Sequence, residues 1–350
     1  MLKRIKQNAL KSLKTSGVFA VTRKSVWRRD RLLILAYHGI SIEDEDDWDM
    51  ALYMRPDALR ARFEMIRSGG YTVLPLTEAA DRLRKGMLPE KAVAITFDDG
   101  NYDFYKKAFP LIREFGFPVT VYLTTYYSLY NKPVFDSACQ YILWKGRDKI
   151  FDTREIAGQD VKFDLKMNAS REAANWALAE YAEQNNFSGE EKNELLVKLA
   201  RQLNVDYDLI LEKRLFHIMK PDEVAEIAAH GVDVQLHTHR HRTPLNRELF
   251  QREIADNRRV IEGITGQPTT HFCYPSGVYE KEFLAWLKEM NVQTATTCNP
   301  GIASRASGSL LLPRIVDSSS LSPVEFEAWL TGVASILPQR AGWGHRPQEG

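Results

Sequence analysis

Short apolar runs alternate with helical patterns along most of this 350-residue chain. Such runs stand at residues 31–38, 92–97, 118–123 and 232–237, and helical patterns lie between most of them. Strands that alternate with helices in this way are typical of βαβ units and a parallel sheet. The length fits a single α/β barrel that contains an insertion, and we place the barrel at residues 31–336.

The alternation breaks between residues 128 and 218. This segment has a hairpin pattern near residues 150–165, followed by two polar helical patterns. The second begins with Ser188 and has Glu191 three residues later, which is the pattern of a capping box. We therefore interpret residues 128–218 as a mostly helical insertion within the barrel, and residues 337–350 as a loose C-terminal tail.

Charge and cysteine content exclude several classes of protein. The 47 Lys and Arg residues nearly balance the 46 Asp and Glu residues, so the overall charge gives no sign of nucleic-acid binding. The three cysteines are far apart in sequence, which argues against a disulfide framework and suits a reducing compartment.

Residues 1–30 are basic and are predicted to form one amphipathic helix. Ile5, Ala9 and Leu13 recur at helical spacing, and Asp30 is the single acidic residue in the first 31. We find neither a signal-peptide pattern nor a run long enough to span a membrane, and therefore expect a cytoplasmic protein. The helix would either lie on the anionic inner membrane surface or dock on the barrel with a solvated basic face.

The apolar run at residues 92–97 ends in Asp98, Asp99 and Gly100. Neighbouring residues of a strand point to opposite faces, so both carboxylates can reach one pocket only if the strand ends there. Two ionised carboxylates this close repel each other unless a cation or a shared proton lies nearby. The alternative is an ordinary Asp-Asp-Gly turn before the next helix.

Other predicted strands also end in polar residues. His38 follows the first strand, His237 ends a later one, Tyr274-Pro275-Ser276 follows another, and Arg314 lies near the last. Active sites of (β/α) barrels lie at the carboxyl ends of the strands. We therefore expect these residues to meet Asp98 and Asp99 in one site.

His237 and His241 are four residues apart, which would place both imidazoles on one face of a helical turn. With Asp99 they make a two-histidine, one-carboxylate set that leaves positions open for water and substrate. Such a set favours Zn, while Co, Ni, Mn and Fe are alternatives. The competing interpretation of residues 237–241 is a polar surface loop with several histidines. His239 lies between the two proposed ligands and is expected to point away from the metal.

Three motifs in this order resemble those of the polysaccharide deacetylases (NodB homology domain, carbohydrate esterase family 4). They are Thr96-Phe-Asp-Asp-Gly100, His237-Thr-x-x-His241 and Phe272-x-Tyr-Pro-x-Gly277. The resemblance covers about residues 31–330 except the insertion. It implies a distorted (β/α)7 barrel and metal-dependent removal of an acetyl group from an N-acetylated sugar.

The resemblance also implies roles for the matching residues. Asp99, His237 and His241 would hold the metal, and Asp98 would be the general base. The backbone N–H of Ser276, in Tyr274-Pro275-Ser276, would help to bind the oxyanion.

Three departures from the common family pattern stand out: Cys273 replaces an arginine, Ser276 replaces an aromatic residue, and no clear late Leu-x-His motif is present. Tyr37-His38 and Leu312-Pro-Arg-Ile315 resemble a branch of the family that acts on poly-N-acetylglucosamine. On that basis His38 would be the general acid, and Arg314 would position Asp98.

The predicted function is metal-dependent N-deacetylation of an amino sugar in an exopolysaccharide, a capsule or a lipid-linked glycan. One alternative is hydrolysis of a non-sugar carbon–nitrogen bond at the same site, since fold does not fix the substrate. Another is an inactive relative that binds glycans. The presence of all four residues Asp98, Asp99, His237 and His241 argues for an enzyme.

Overall fold

The structure, a computed structural model, describes residues 2–158 and 160–337. The described residues form twelve strands: β1 (Leu33–Tyr37), β2 (Gly39–Ile40), β3 (Tyr53–Met54), β4 (Thr72–Val73), β5 (Ala92–Phe97), β6 (Thr120–Leu123), β7 (Ile150–Asp152), β8 (Lys162–Asp164), β9 (Asp233–Leu236), β10 (His271–Cys273), β11 (Thr294–Thr296) and β12 (Ile315–Val316). They also form seventeen α-helices: α1 (Leu2–Thr15), α2 (Val18–Arg23), α3 (Val26–Arg29), α4 (Glu45–Trp48), α5 (Pro56–Ser68), α6 (Leu76–Lys85), α7 (Phe109–Phe115), α8 (Tyr126–Tyr130), α9 (Phe135–Lys145), α10 (Arg154–Ala157), α11 (Asn168–Gln184), α12 (Gly189–Gln202), α13 (Tyr207–Glu212), α14 (Pro221–Ala229), α15 (Arg247–Thr265), α16 (Phe283–Glu289) and α17 (Pro323–Thr331).

The centre of the molecule is a curled parallel sheet. Its strands run in the order β11-β10-β9-β6-β5-β1-β12, and β4 pairs with the start of β5. The two edges approach each other, because the Leu312 N–H donates to Ala295 O at 2.9 Å and the Thr297 N–H donates to Leu312 O at 3.0 Å. This architecture confirms the expected distorted (β/α)7 barrel of the NodB type.

Strands β1 and β5 are buried along their whole length. Their continuous apolar runs suit a parallel sheet that is covered on both faces. Ile34 and Ala94 pack in a small cluster with Tyr122 inside the curled sheet. Leu35 and Ile95 belong to the main cluster that the sheet shares with the helices. Neighbouring residues of these strands therefore belong to two different clusters of buried side chains.

The segment between β6 and α14 has a hydrophobic core of its own, in which α9 packs against α11 and α12. The antiparallel pair β7–β8 confirms the predicted hairpin. The capping box at Ser188 and Glu191 is also confirmed, at the start of α12. The segment returns to the barrel where Ser128 Oγ donates to Met219 O at 2.6 Å.

Residues 1–30 were expected to form one helix, and this is wrong for the described part, which forms α1, α2 and α3. The first break falls at Gly17, whose φ of 83° lies in the left-handed region. Helix α1 packs on α17, with Leu10 buried in the main core. Lys14 Nζ donates to Glu327 Oε2 at 2.5 Å.

The chain's last described helix, α17, ends at Gly332, where φ is 92°, and a short 3-10 turn follows. Most of the tail predicted at residues 337–350 lies outside the described residues, since the description ends at residue 337. Within residues 2–158 and 160–337, we find no helix that combines the length and apolar character needed to cross a bilayer.

Asn257 of α15 joins three chain segments at the carboxyl end of the sheet. Its Oδ1 accepts the backbone N–H of His237 at 2.9 Å, and its Nδ2 donates to Leu123 O at 2.9 Å and to Thr125 Oγ1 at 3.0 Å. The side chain is fully buried. A buried amide with satisfied donors and acceptor therefore fixes the ends of β6 and β9 against α15.

We predict that Asn257→Ala lowers the free energy of unfolding by about 3 kcal/mol, because it leaves buried backbone groups without partners. Asp256→Ala is the matched control on the same helix, since Asp256 pairs with Arg259 near the surface. We expect the control to cost less than about 0.5 kcal/mol. Urea unfolding of the two variants measures the difference, and equal losses would contradict a special role for Asn257.

Candidate active site

The chain turns sharply after β5 and separates its two carboxylates. The Asp98 N–H still donates to Tyr37 O at 2.8 Å, as in the sheet, but Asp99 and Gly100 have φ values of 68° and 77°. A Cβ atom at Gly100 would lie 2.3 Å from Leu123 Cδ1, so only glycine fits. Both carboxylates border one cavity, but Asp98 is buried whereas Asp99 is partly exposed.

Asp98 forms a buried ion pair with Arg314. Arg314 Nη1 donates to Asp98 Oδ1 at 2.7 Å and Nη2 donates to Oδ2 at 2.5 Å, while Nε donates to Thr297 O at 2.8 Å. Burial raises the pKa of Asp98, but the charge and hydrogen bonds of Arg314, together with the charges of His38 and His237, outweigh burial and hold that pKa below its ordinary value. The carboxylate is therefore held ionised and in one orientation.

Cys273 and His38 complete the surroundings of Asp98. Cys273 Sγ lies 2.9 Å from Arg314 Nη2 and 3.6 Å from Asp98 Oδ2. His38 Nε2 lies 3.4 Å from Asp98 Oδ2, and no partner is found for the buried His38 Nδ1 within the described residues. The guanidinium that touches Asp98 thus comes from Arg314, and Cys273 packs against it.

Asp99, His237 and His241 converge on one point. Asp99 Oδ1 lies 3.1 Å from His237 Nε2 and 3.2 Å from His241 Nε2. His237 Nδ1 lies 2.9 Å from Cys273 O. Because that carbonyl oxygen can only accept, Nδ1 bears a proton, and in the neutral ring Nε2 then presents a lone pair. A lone pair on Nε2 next to a carboxylate oxygen favours a cation between the two atoms.

This donor set fits a divalent metal ion. The three ligand atoms of Asp99, His237 and His241 lie within 4.8 Å of one another, and the carbonyl at Nδ1 orients His237 as second partners of metal-bound imidazoles do. A second group, Asp98, His237 and Cys273, is equally compact. That group already contacts the Arg314 guanidinium, so a positive charge occupies its position.

The two histidines do not converge through a helical turn, as their spacing had suggested. Residues 237–241 form no helix, and Thr238 and His241 have φ values of 60° and 56°. A left-handed conformation is costly for a β-branched residue, and such strain often occurs at functional sites. His239 points elsewhere, with Nδ1 2.8 Å from Thr125 Oγ1.

The residues of the third motif are placed differently from one another. Tyr274 was expected near the substrate, but its side chain is buried in the core and its hydroxyl donates to Leu310 O at 3.0 Å. Pro275 is also buried. Of these three residues Ser276, with φ 55°, lines the cavity of about 520 Å³ that Asp98 and Asp99 also line.

Sequence analysis did not identify two residues that support the site, and both lie on α15. Asn257 holds the backbone of His237, and the carboxylate of Glu253 accepts from the backbone and side chain of Arg240 and from the side chain of Arg242. Both are buried on the face that packs on the core beside Ile254. A polar residue on the apolar face of an amphipathic helix is a signal that could have found them.

Comparison with known proteins identifies the family. The family model described as polysaccharide deacetylase matches residues 85–141 and 171–295. A putative polysaccharide deacetylase, YxkH of Bacillus subtilis (strain 168), is 23% identical over 303 residues, which cover 86% of this chain and 76% of that protein. The poly-beta-1,6-N-acetyl-D-glucosamine N-deacetylase of Escherichia coli O157:H7 is 33% identical over 111 residues, 30% of this chain and 16% of that protein.

Solved structures share the fold. The Streptococcus pyogenes deacetylase PplD, in complex with acetate, superposes with a TM-score of 0.56 at 20% identity and covers 88% of this chain and 99% of its own. IcaB from Ammonifex degensii gives a TM-score of 0.52 at 17% identity and covers 86% of this chain and 97% of its own. The family model spans more than half of the sequence, and the chain therefore belongs to the polysaccharide deacetylase family.

Proposed function

We propose that this protein is a metal-dependent hydrolase that removes the N-acetyl group from an amino sugar of a polysaccharide or a lipid-linked glycan. Polysaccharide deacetylases are hydrolases that act on carbon–nitrogen bonds, so membership of the family supports the enzyme class. The observation that carries the proposal is the convergence of Asp99, His237 and His241 beside the buried, ionised Asp98.

Asp99, His237 and His241 would hold the ion. Two imidazole nitrogens and one carboxylate oxygen suit Zn best, and Co, Ni, Mn and Fe accept the same donors. When bound, the ion supplies Lewis-acid chemistry at the amide carbonyl and makes a neighbouring water more acidic. The hydrogen bond from His237 Nδ1 to Cys273 O would keep this ligand oriented toward the ion.

Asp98 would act as the general base, with Arg314 as the residue that positions it. The bidentate contact with Arg314 keeps the carboxylate ionised at neutral pH, so it can accept a proton from the attacking water. Arg314 also keeps Asp98 away from the donor set of Asp99, and this leaves the two adjacent carboxylates with different tasks.

His38 would act as the general acid that protonates the leaving amine. Its ring borders the cavity, and its Nε2 lies 3.4 Å from Asp98 Oδ2. The backbone N–H of Ser276 would stabilise the oxyanion, because the left-handed turn at this residue lies at the cavity wall.

The substrate assignment has two alternatives, hydrolysis of a non-sugar amide and glycan binding without catalysis. The names of the relatives favour a sugar, since one acts on poly-beta-1,6-N-acetyl-D-glucosamine, although that match covers only 16% of the relative. Acetate release from N-acetylglucosamine oligomers separates a sugar deacetylase from both alternatives.

We predict that Asp99→Asn and Asp98→Asn both lose activity, but for different reasons. Asp99→Asn should lose the bound metal together with activity, because it removes one of three ligands. Asp98→Asn should retain the metal and lower kcat by about 10²- to 10⁴-fold, the usual contribution of a general base. Metal analysis of the purified variants and acetate release from N-acetylglucosamine oligomers make the distinction.

His239→Ala is the matched control for His241→Ala, since His239 lies in the same loop and faces Thr125. The control should keep its metal, and His241→Ala should not. Retention of metal by both Asp99→Asn and His241→Ala would contradict the proposed site.

We predict that His38→Gln lowers kcat by about 10²- to 10⁴-fold without changing the metal content. The reason is that glutamine keeps a polar side chain at this position but has no acidic proton to give to the leaving amine. Acetate release from N-acetylglucosamine oligomers and metal analysis of the variant test this, and unchanged turnover would remove His38 from the mechanism.

We also propose that the N-terminal helices contact an anionic membrane surface. Ile5, Val18, Val21 and Val26 are exposed on α1, α2 and α3, in a segment that is rich in Lys and Arg. Exposed apolar side chains among basic ones are typical of helices that lie in the interface of a bilayer.

We predict that the protein sediments with vesicles that contain phosphatidylglycerol and less with vesicles of phosphatidylcholine alone. Val21→Asp should weaken the sedimentation, because a charge at an exposed apolar position opposes insertion, and added salt should weaken it further. Equal sedimentation with both kinds of vesicle, or none, would contradict membrane contact.

A further inference from the structure

The proposed metal site lies where two cavities meet. One, of about 380 Å³, runs between the barrel and the insertion, and includes Trp48 and Phe135. The other, of about 520 Å³, runs toward α1 and α17, and we call it the helix cleft. Asp99 and His241 line both cavities. A substrate whose acetamide group reaches Asp99 can therefore extend in two directions.

The helix cleft is largely apolar, and a lysine lies at its wall. Leu52, Ile315, Leu321 and Trp329 form its apolar walls. Lys6 is the only lysine or arginine among the described residues that line it. An apolar cleft with a single cation at its wall suits a ligand that has an aliphatic part and a negative charge.

Contacts on both sides of Lys6 fix its direction. Lys3 Nζ donates to Ser320 O at 2.7 Å, and Gln7 Nε2 donates to Glu325 Oε2 at 3.1 Å. Farther along α1, Leu10 is fully buried in the main core. Helix α1 is thereby held against α17 in one rotation, and Lys6 faces the cleft as part of the wall.

The contact with Glu325 does not use the full hydrogen-bonding capacity of the Lys6 ammonium group. Lys6 Nζ lies 3.7 Å from Glu325 Oε1, beyond a good hydrogen bond, and 39% of the Lys6 side chain is exposed. The hydrogen bonds from Ser322 and Gln7 all go to Oε2 of Glu325, so Oε1 is the carboxylate oxygen that faces Lys6. An ammonium group has three donors, so Lys6 can bind an additional oxyanion.

We infer that the helix cleft binds the phosphate and aliphatic part of an N-acetyl amino sugar joined through a phosphate ester to an alkyl chain, with Lys6 pairing with the phosphate. Lys6 is then a specificity-determining residue, and α1 is a wall of the substrate site. The inference rests on the proposed deacetylase function. It selects the lipid-linked glycan among the substrate classes that the proposed function leaves open.

The test compares two substrates that differ only in the phosphate: N-acetylglucosamine joined to an octyl chain through a phosphodiester, and octyl N-acetylglucosaminide. Lys6→Gln should lower the ratio of their kcat/KM values about tenfold, because a charge-assisted hydrogen bond is lost, and the change should lie in KM. Lys6→Arg should restore most of the ratio. Lys11→Gln, on the exposed side of α1, should leave it unchanged.

A ratio that Lys6→Gln does not alter, or a parent protein that prefers the neutral glycoside, would overturn the inference. Calorimetric titration with octyl phosphate gives a readout that needs no turnover, and Lys6→Gln should weaken this binding about tenfold. Absence of acetate release from every substrate, with this binding difference intact, would refute the deacetylase function and leave the role of Lys6 supported.

Discussion

The buried ion pair between Asp98 and Arg314 gives the two adjacent carboxylates different environments. Burying a carboxylate is costly unless a charge and hydrogen bonds compensate, and Arg314 supplies both through two contacts with Asp98. Removing one partner of such a pair typically costs about 3–5 kcal/mol. Asp99 turns away at its left-handed backbone and meets two histidines. The rest of the site depends on this division.

Much of this site could be predicted because parallel strands bring their carboxyl ends to one edge of a sheet. His38, Asp98 and His237 follow β1, β5 and β9, and their meeting needed only the strands and their order. The closeness of the two histidines was predicted, but its cause was not, since left-handed residues such as Thr238 leave no periodic pattern. The burial of Tyr274 likewise depends on packing that no local pattern reveals.

Residues far from the motifs support the site and form the walls of the cavities beside it. Asn257 connects β6, β9 and α15 through contacts with residues 134 and 20 positions away, and sequence spacing cannot predict such contacts. The break between α1 and α2 falls at Gly17, and α1 packs along α17. The N-terminal segment and the insertion form walls of two cavities that share Asp99.

The central claim is that a metal ion binds to Asp99, His237 and His241, while Asp98 stays with Arg314. X-ray absorption at the zinc edge of the zinc-loaded protein tests it most directly. The predicted spectrum contains nitrogen and oxygen neighbours at about 2.0–2.1 Å and no sulfur neighbour. A sulfur neighbour at about 2.3 Å would place the ion with Cys273 and Asp98, and would contradict this assignment of the two carboxylates.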